Sequence, residues 1–92
     1  MIQINFPEPM PKISELKEIQ REGGIYLLYD IAGVLLYIGK SDNLYKRLSA
    51  QLRNMPDAKS FSVVYVENPF ERAIYEIAMI HELKPLRNKE RF

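Results

Sequence analysis

Two tyrosines are the first side chains in this sequence whose type and spacing suggest chemistry. Tyr26 and Tyr37 each lie in a short, apolar, β-rich run, and a turn containing Asp30 and Gly33 joins the two runs. This arrangement predicts a β-hairpin. A phenol can orient or deprotonate water, although its ordinary pKa of about 10 makes it a weak base unless a cation lowers that pKa. Cross-strand aromatic pairs also stabilise sheets without any chemistry, so both roles stay open.

An arginine in a polar row is the second candidate. Asn43, Arg47 and Gln51 are spaced four residues apart and share one face of a predicted helix. The planar guanidinium group of arginine matches the geometry of phosphate oxygens. A polar row of this kind is also typical of a helix face that contacts solvent, so the row alone leaves both interpretations open.

Glu76 is the third candidate, because it combines a charge with a position next to apolar side chains. At 100° per residue it lies at the edge of an apolar stripe on the last predicted helix. A partly buried carboxylate needs an arginine, several N–H donors or a metal ion as its partner. Instead of binding a metal, Glu76 could form an ion pair with Arg72 at the preceding turn. The stripe consists of Phe70, Ala73, Ile74, Ile77, Ala78 and Ile80.

His81 is the only histidine, and the chain contains no cysteine. Zinc sites are built from several histidine and cysteine ligands, so a zinc site is not expected. On the helical projection His81 lies between Phe70, Ile74 and Ile77. We therefore predict a packing or capping role for this histidine.

The hairpin over residues 24–39 should position the two phenols. We predict a register that places Tyr26 opposite Tyr37 on one face. The predicted pairs on that face are Tyr26 with Tyr37, Gly24 with Gly39, and Leu28 with Leu35. The other face is then apolar and carries Ile25, Leu27, Tyr29, Val34, Leu36 and Ile38. One face should therefore be apolar, and the other should present two phenols between two glycines.

Three helices and one further strand complete the predicted fold. Asn68 is a typical N-cap of the last helix, with Pro69 at the first helical position and Glu71 as capping-box partner. Pro85 should stop this helix after about Leu83. The other elements are a helix over 13–22 capped by Ser14, a helix over about 43–53 capped by Ser41 or Asp42, and a strand over 60–66. This order predicts an α+β fold with a small three-stranded antiparallel sheet flanked by helices.

Length and composition limit the class of protein. The chain has 92 residues, a net charge of +1 and no cysteine, so one domain without disulfides is expected. Prolines at positions 7, 9 and 11 predict an extended arm over 1–12, followed by a single domain over 13–92. No signal-peptide pattern or membrane-spanning run is found, and we expect a cytoplasmic protein with no membrane partner. A nucleic-acid partner would have to contact a local basic patch, because the net charge gives little attraction.

Together these motifs resemble the GIY-YIG nuclease family. The runs 24–26 (Gly-Ile-Tyr) and 37–39 (Tyr-Ile-Gly) match its two signatures and are separated by ten residues. Arg47 lies where the family has a catalytic arginine. Glu76 is followed nine residues later by Pro85 and then by Asn88, as in the closing segment of the family. The resemblance covers about residues 23–88, and it is nearest to the catalytic module of bacterial excision-repair endonucleases and to small stand-alone members.

The resemblance implies a metal-dependent nuclease that hydrolyses phosphodiester bonds. Glu76 would be the only protein carboxylate on one Mg²⁺ or Mn²⁺ ion, and Arg47 would stabilise charge on the phosphate. Tyr26 is favoured as the group that takes the proton of the attacking water, with Tyr37 as its positioning partner. Lys40 directly follows the second signature and could lower the pKa of a tyrosine.

The remaining predicted residues contact nucleic acid or support the site. Gln51 stands where many members carry a histidine, so no histidine base is expected there. Predicted contacts with nucleic acid are Ser41, Asn43, Lys46, Gln51 and Arg53, and predicted supporting residues are Gly24, Gly39 and Asn88. DNA is favoured over RNA as substrate. Two alternatives stay open: a nucleic-acid-binding domain with little or no catalysis, and a subunit that needs a partner protein or a second copy.

Overall fold

The elements follow the order that the sequence predicts. The computed structural model describes the backbone of residues 13–88 and the side chains of residues 16–88. The predicted arm over 1–12 lies outside the described residues, and the predicted Ser14 cap lies outside the described side chains. Within this range no helix is long and apolar enough to cross a bilayer. The elements are a 3₁₀ helix Ile13–Glu18, strands β1 Gly24–Tyr29, β2 Leu35–Ser41 and β3 Ser60–Tyr65, and helices α1 Leu44–Asn54 and α2 Pro69–Leu83. The predicted first helix is therefore shorter, and it is a 3₁₀ helix.

The three strands form one antiparallel sheet with the order β2-β1-β3. This confirms the predicted α+β fold. Every residue of the central strand β1 is buried, because α1 covers one face of the sheet and α2 covers the other. The prediction that only one face is apolar is wrong, since Leu28 and Phe61 pack with α1 while Ile25 and Leu27 pack with α2.

The hairpin register differs from the predicted one by two residues. Tyr26 pairs with Gly39 and Leu28 pairs with Tyr37, whereas we expected Tyr26 opposite Tyr37. Gly24 likewise pairs with Ser41. Side chains alternate with a period of two, so a shift of two residues leaves both phenols on the same face of the sheet. Tyr26 and Tyr37 are therefore diagonal neighbours.

Two local features produce this shift. Asp30 N donates to Val34 O, which closes a three-residue loop, and Gly33 adopts φ +84° at the left-handed position that such loops use. The register then changes again between Leu28 and Tyr29, where β2 carries one extra residue. As a result Leu36 faces α1 and Leu35 faces α2, the reverse of the prediction.

Asparagines cap both α-helices. Asn43 caps α1, and its Oδ1 accepts a hydrogen bond from Lys46 N at 3.1 Å, so the prediction of Ser41 or Asp42 as cap is wrong. Asn68 caps α2 as predicted, with Oδ1 accepting from Phe70 N at 2.8 Å and Glu71 N at 3.1 Å. Lys84 adopts a left-handed conformation directly before Pro85 and ends α2.

The rotation of α2 about its axis is the main departure from the sequence prediction. Phe70 is 82% exposed and Ile77 is 60% exposed, although both belong to the predicted buried stripe. The residues that face the sheet include Glu76, Met79 and Ile80, which are buried. The apolar stripe misjudges the orientation because the inward face includes a carboxylate. His81 is exposed and does not pack into the core.

Candidate active site

Two phenols form the floor of the site on the α1 side of the sheet. The ring centroids of Tyr26 and Tyr37 are 6.0 Å apart, and the ring planes are inclined by 34°. Tyr26 is only 2% exposed, whereas Tyr37 is partly buried. A water molecule or substrate can therefore reach Tyr37 more easily than Tyr26.

The two signature glycines make room for close packing. A Cβ atom at Gly39 would lie 2.4 Å from Oη of Tyr26, so glycine is needed here for the Tyr26 ring to cross β2. A Cβ atom at Gly24 would lie 2.2 Å from the backbone oxygen of Val64. Gly39 thus admits a tyrosine ring and Gly24 a neighbouring strand, while their role in supporting the site stays a prediction.

Gln51 on α1 holds the buried phenol in place. Its Nε2 donates a hydrogen bond to Oη of Tyr26 at 2.9 Å. Burial is the main cause that raises the pKa of Tyr26 to about 12, and the neighbouring Tyr37 and the Glu76 carboxylate raise it further. The Gln51 hydrogen bond and the positive charge of Arg47 act in the opposite direction. At neutral pH Tyr26 is therefore protonated.

Tyr37, Arg47 and Glu76 lie within electrostatic range of Tyr26. The charges of Arg47 and Glu76 both act on the Tyr26 phenol, beside Tyr37. Arg47 is on the exposed side of α1, and Glu76 is 2% exposed on the inward face of α2. Arg47 and Glu76 thus come from two helices that pack on opposite faces of the sheet.

Arg72 is engaged away from this site. Its Nε donates to the backbone oxygen of Val66 at 3.0 Å, and its Nη2 donates to that of Glu67 at 2.9 Å. A Cβ atom at Gly23 would lie 1.9 Å from the Arg72 guanidinium. Arg72 thus stabilises the connection between β3 and α2. Sequence reasoning missed this role, since carbonyl acceptors leave no mark in the side-chain pattern.

Asn88 replaces a strand neighbour at the outer edge of β2. Its Oδ1 accepts from Ile38 N at 3.0 Å, and its Nδ2 donates to Ile38 O at 2.9 Å. Next to it, Arg87 N donates to Leu36 O at 2.8 Å. Asn88 is 2% exposed, so both bonds are shielded from water. The position fits the predicted supporting role, because the clamped strand carries Tyr37 and Gly39.

The other predicted residues lie at or beyond the rim. Lys40 is exposed and pairs with Ile25, so its Cα position belongs to the α2 face of the sheet, the side on which Glu76 lies. Ser41 Oγ accepts from Asn43 N at 3.0 Å, so both side chains shape the start of α1. Arg53 is exposed in the last turn of α1. A shallow cleft of about 250 Å³ is lined by Ser41, Asp42, Asn43, Lys46, Arg47 and Ala50.

The donor atoms at the site suit a hard divalent cation. Glu76 supplies a buried carboxylate, and oxygen ligands are those that Mg²⁺ and Mn²⁺ prefer. Within residues 16–88 no group of three histidine, cysteine, aspartate or glutamate side chains could hold a metal.

The family follows from comparison with known proteins. Residues 22–85 match the model of the GIY-YIG catalytic domain. The chain belongs to the GIY-YIG family. The match confirms the predicted family and covers both tyrosines, Arg47 and Glu76.

Relatives of this GIY-YIG domain include UvrABC system protein C from two bacteria. The protein from Chlamydia muridarum is 31% identical over 84 residues, which covers 79% of this chain and 14% of the relative. The protein from Shewanella loihica is 42% identical over 50 residues, covering 53% of this chain and 8% of the relative. The chain thus spans only a small part of the length of these relatives.

Solved structures show the same fold. The GIY-YIG N-terminal endonuclease domain of UvrC from Thermotoga maritima, bound to its catalytic divalent cation magnesium, superposes with a TM-score of 0.70. The two sequences are 28% identical, and the alignment covers 82% of this chain and 92% of that one. In that protein magnesium is the catalytic divalent cation.

Proposed function

We propose that this domain is a nuclease that hydrolyses phosphodiester bonds of DNA with one Mg²⁺ or Mn²⁺ ion on Glu76. The observation that carries the proposal is the buried Glu76 carboxylate, which, like Arg47 and Tyr37, lies within electrostatic range of the Tyr26 phenol. The UvrC endonuclease domain with bound magnesium supports the same reaction and the same cofactor. When bound, the ion would stabilise the negative charge that develops on the leaving oxygen.

Glu76 would hold the cation in a fixed place. Its carboxylate lies on the inward face of α2, one turn before the buried Met79 and Ile80. Burial restricts the rotamers of a side chain, which is what a single protein ligand needs to orient an ion. Asn88 contributes indirectly, since it fixes the strand that carries Tyr37.

Arg47 would bind the non-bridging oxygens of the scissile phosphate. Its guanidinium is exposed, close to the Tyr26 phenol and at the wall of the shallow cleft at the start of α1. A planar fork of N–H donors fits two phosphate oxygens, and its charge stabilises the more negative transition state. Lys46 of the same cleft, together with Arg53, would contact neighbouring phosphates, which positions the strand without reading its sequence.

The two phenols would have different tasks. Oη of Tyr26 accepts from Gln51, and its raised pKa keeps it protonated at neutral pH, so it can donate a hydrogen bond to a phosphate oxygen or to water. This favours Tyr26 as a donor and not as the base that the family resemblance implied. Tyr37 is more accessible and would orient the attacking water.

A cleavage panel tests the proposal. Labelled single-stranded, duplex and branched DNA, and RNA of the same sequences, are incubated with the protein and Mg²⁺ or Mn²⁺. We expect DNA cleavage by the wild type, none by Glu76→Gln, and wild-type rates for Glu82→Gln on the exposed side of the same helix.

Metal binding provides a second measurement. Mn²⁺ titration followed by electron paramagnetic resonance should give one site in the wild type and a much weaker one in Glu76→Gln. Cleavage that persists in Glu76→Gln would contradict the proposal. DNA binding without any cleavage would instead favour the alternative of a nucleic-acid-binding domain.

A cytoplasmic location stays part of the proposal.

A further inference from the structure

The outward face of α2 carries apolar side chains that the fold does not use. Phe70 is 82% exposed, Ile74 46% and Ile77 60%. The inward face of the helix is already complete, with Met79 and Ile80 buried against the sheet. We call Phe70, Ile74, Ile77 and His81 the outer stripe. Contiguous exposed apolar patches of this kind typically mark interaction sites.

The spacing of the outer stripe fits another helix. Its members follow one another at intervals of four, three and four residues, which is the spacing of the contact seam between two packed helices. Ala73 and Ala78 are only partly exposed beside this seam. Small residues at such positions allow a second helix to approach closely.

Charge decides what kind of helix fits. Glu71 and Glu82 are both exposed on the same flank of the outer stripe, eleven residues or roughly 16 Å apart along the axis. A second copy of α2 packed antiparallel along the seam would place Glu71 of one chain beside Glu82 of the other. Like charges facing each other oppose that pairing. A partner with basic residues on this flank would be attracted.

We propose that the outer stripe of α2 binds an amphipathic helix that has an apolar seam and lysine or arginine on the flank facing Glu71 and Glu82. Aromatic residues bury about 150–250 Å² each, so Phe70 would be the main anchor. The stripe is small compared with standard interfaces of about 1,600 Å² in total. Binding should therefore be weak, with Kd in the micromolar range. This inference does not rest on the proposed nuclease function.

Designed peptides test the proposal. Two fluorescent 18-residue peptides are stapled into helices with leucine along one seam, and they differ only in having lysine or glutamate on both flanks. Fluorescence anisotropy should show at least tenfold tighter binding of the lysine peptide. Ile77→Glu should weaken binding of the lysine peptide at least tenfold, even though it adds a negative charge. Ile31→Glu, at the exposed hairpin tip, should leave binding unchanged.

Charge reversal checks the role of the acidic flank. In the double variant Glu71→Lys and Glu82→Lys, the preference should change to the glutamate peptide. The proposal is overturned if the peptides bind equally well, if neither binds at millimolar concentration, or if Ile77→Glu binds like the wild type. Sedimentation equilibrium adds a further check, because a wild-type dimer that Ile77→Glu dissociates would assign the outer stripe to a second copy and overturn the proposal.

Discussion

The two sides of the sheet contribute to the site in different ways. On the α2 side, Glu76 is 2% exposed and lies in the same inward face as Met79 and Ile80. On the α1 side, Arg47 is exposed and Gln51 is half-buried, although Leu44 and Leu48 anchor their helix in the core. A buried side chain is fixed by its packing, whereas an exposed long side chain keeps its rotamer freedom.

This difference separates the group that would hold an ion from the groups that would meet a substrate. Substitutions on the inward face of α2 should change stability and site geometry together. Substitutions in the exposed row of α1 should change turnover while the fold stays intact. The following experiments test this contrast, in order of decreasing expected effect.

Met79→Ala should have the largest effect on stability. Met79 is fully buried between α2 and the sheet, and removing such a side chain leaves a cavity that costs about 2–5 kcal/mol. Ile77→Ala on the outer stripe of the same helix should change the free energy of unfolding by only about 0.5 kcal/mol. Urea denaturation measures both values. Equal losses would mean that α2 is oriented differently.

Arg47→Ala should lower turnover of DNA by about 10²-fold or more, because a charge that stabilises the transition state is lost. The thermal midpoint should stay close to the wild-type value, since Arg47 is exposed. Arg53→Ala, on the same helix, should weaken DNA binding slightly without lowering the rate at saturation. Unchanged turnover of Arg47→Ala would remove Arg47 from the mechanism.

Asn88→Ala should destabilise the edge of β2. It leaves the buried N–H and C=O of Ile38 without their partner, which costs about 1–3 kcal/mol. Amide hydrogen exchange at Ile38 should become faster than in the wild type. Asn54→Ala, at the exposed end of α1, serves as the control and should alter neither measurement. Slow exchange at Ile38 in Asn88→Ala would contradict the clamp.

Alkaline pH should reveal the buried phenol. Burial raises the pKa of Tyr26 to about 12 in the folded protein, above its ordinary value of 10.0. Its contribution to stability is therefore complete below pH 10 and is lost as the pH rises toward 12. Tyr26→Phe should reduce this loss, and Gln51→Leu should increase it, since the Gln51 hydrogen bond lowers the pKa of Tyr26. Urea denaturation at pH 9 to 11 tests both slopes.

The smallest effect is expected at a surface ion pair that lies outside both α1 and α2. Arg87 forms a two-pronged ion pair with Asp57, which lowers the pKa of Asp57 below its ordinary 3.8. The stabilisation is complete above pH 3.8 and disappears as the pH falls through the lower value of the folded protein. Both side chains are about half exposed, so salt should screen the pair. Asp57→Asn should therefore change stability only slightly at neutral pH.

Local sequence features predicted the helix ends of α2 and the family. Asn68 and Pro69 act within one helical turn, and Pro85 stops a helix wherever it occurs. The signature residues are also a local feature, because their spacing along the chain is enough to predict the family that the model match confirms. The cap of α1 was predicted only to within two residues, because Ser41, Asp42 and Asn43 are all good caps.

The sequence by itself determined the two hairpin strands and the ends of α2, because alternating apolar residues, Asn68 and Pro85 act locally. Tyr26 and Tyr37 share a face only because two shifts of one residue together restore the predicted parity of the register. The tertiary structure alone decided which residues lie opposite them, since a three-residue loop and an extra residue in β2 each shifted the pairing by one. It also decided the rotation of α2. The apolar periodicity of α2 predicts that Phe70, Ile74 and Ile77 are buried. In the structure these three are exposed, and Glu76 is buried instead. Which face of a helix is buried depends on distant strands, and that information lies outside its own pattern.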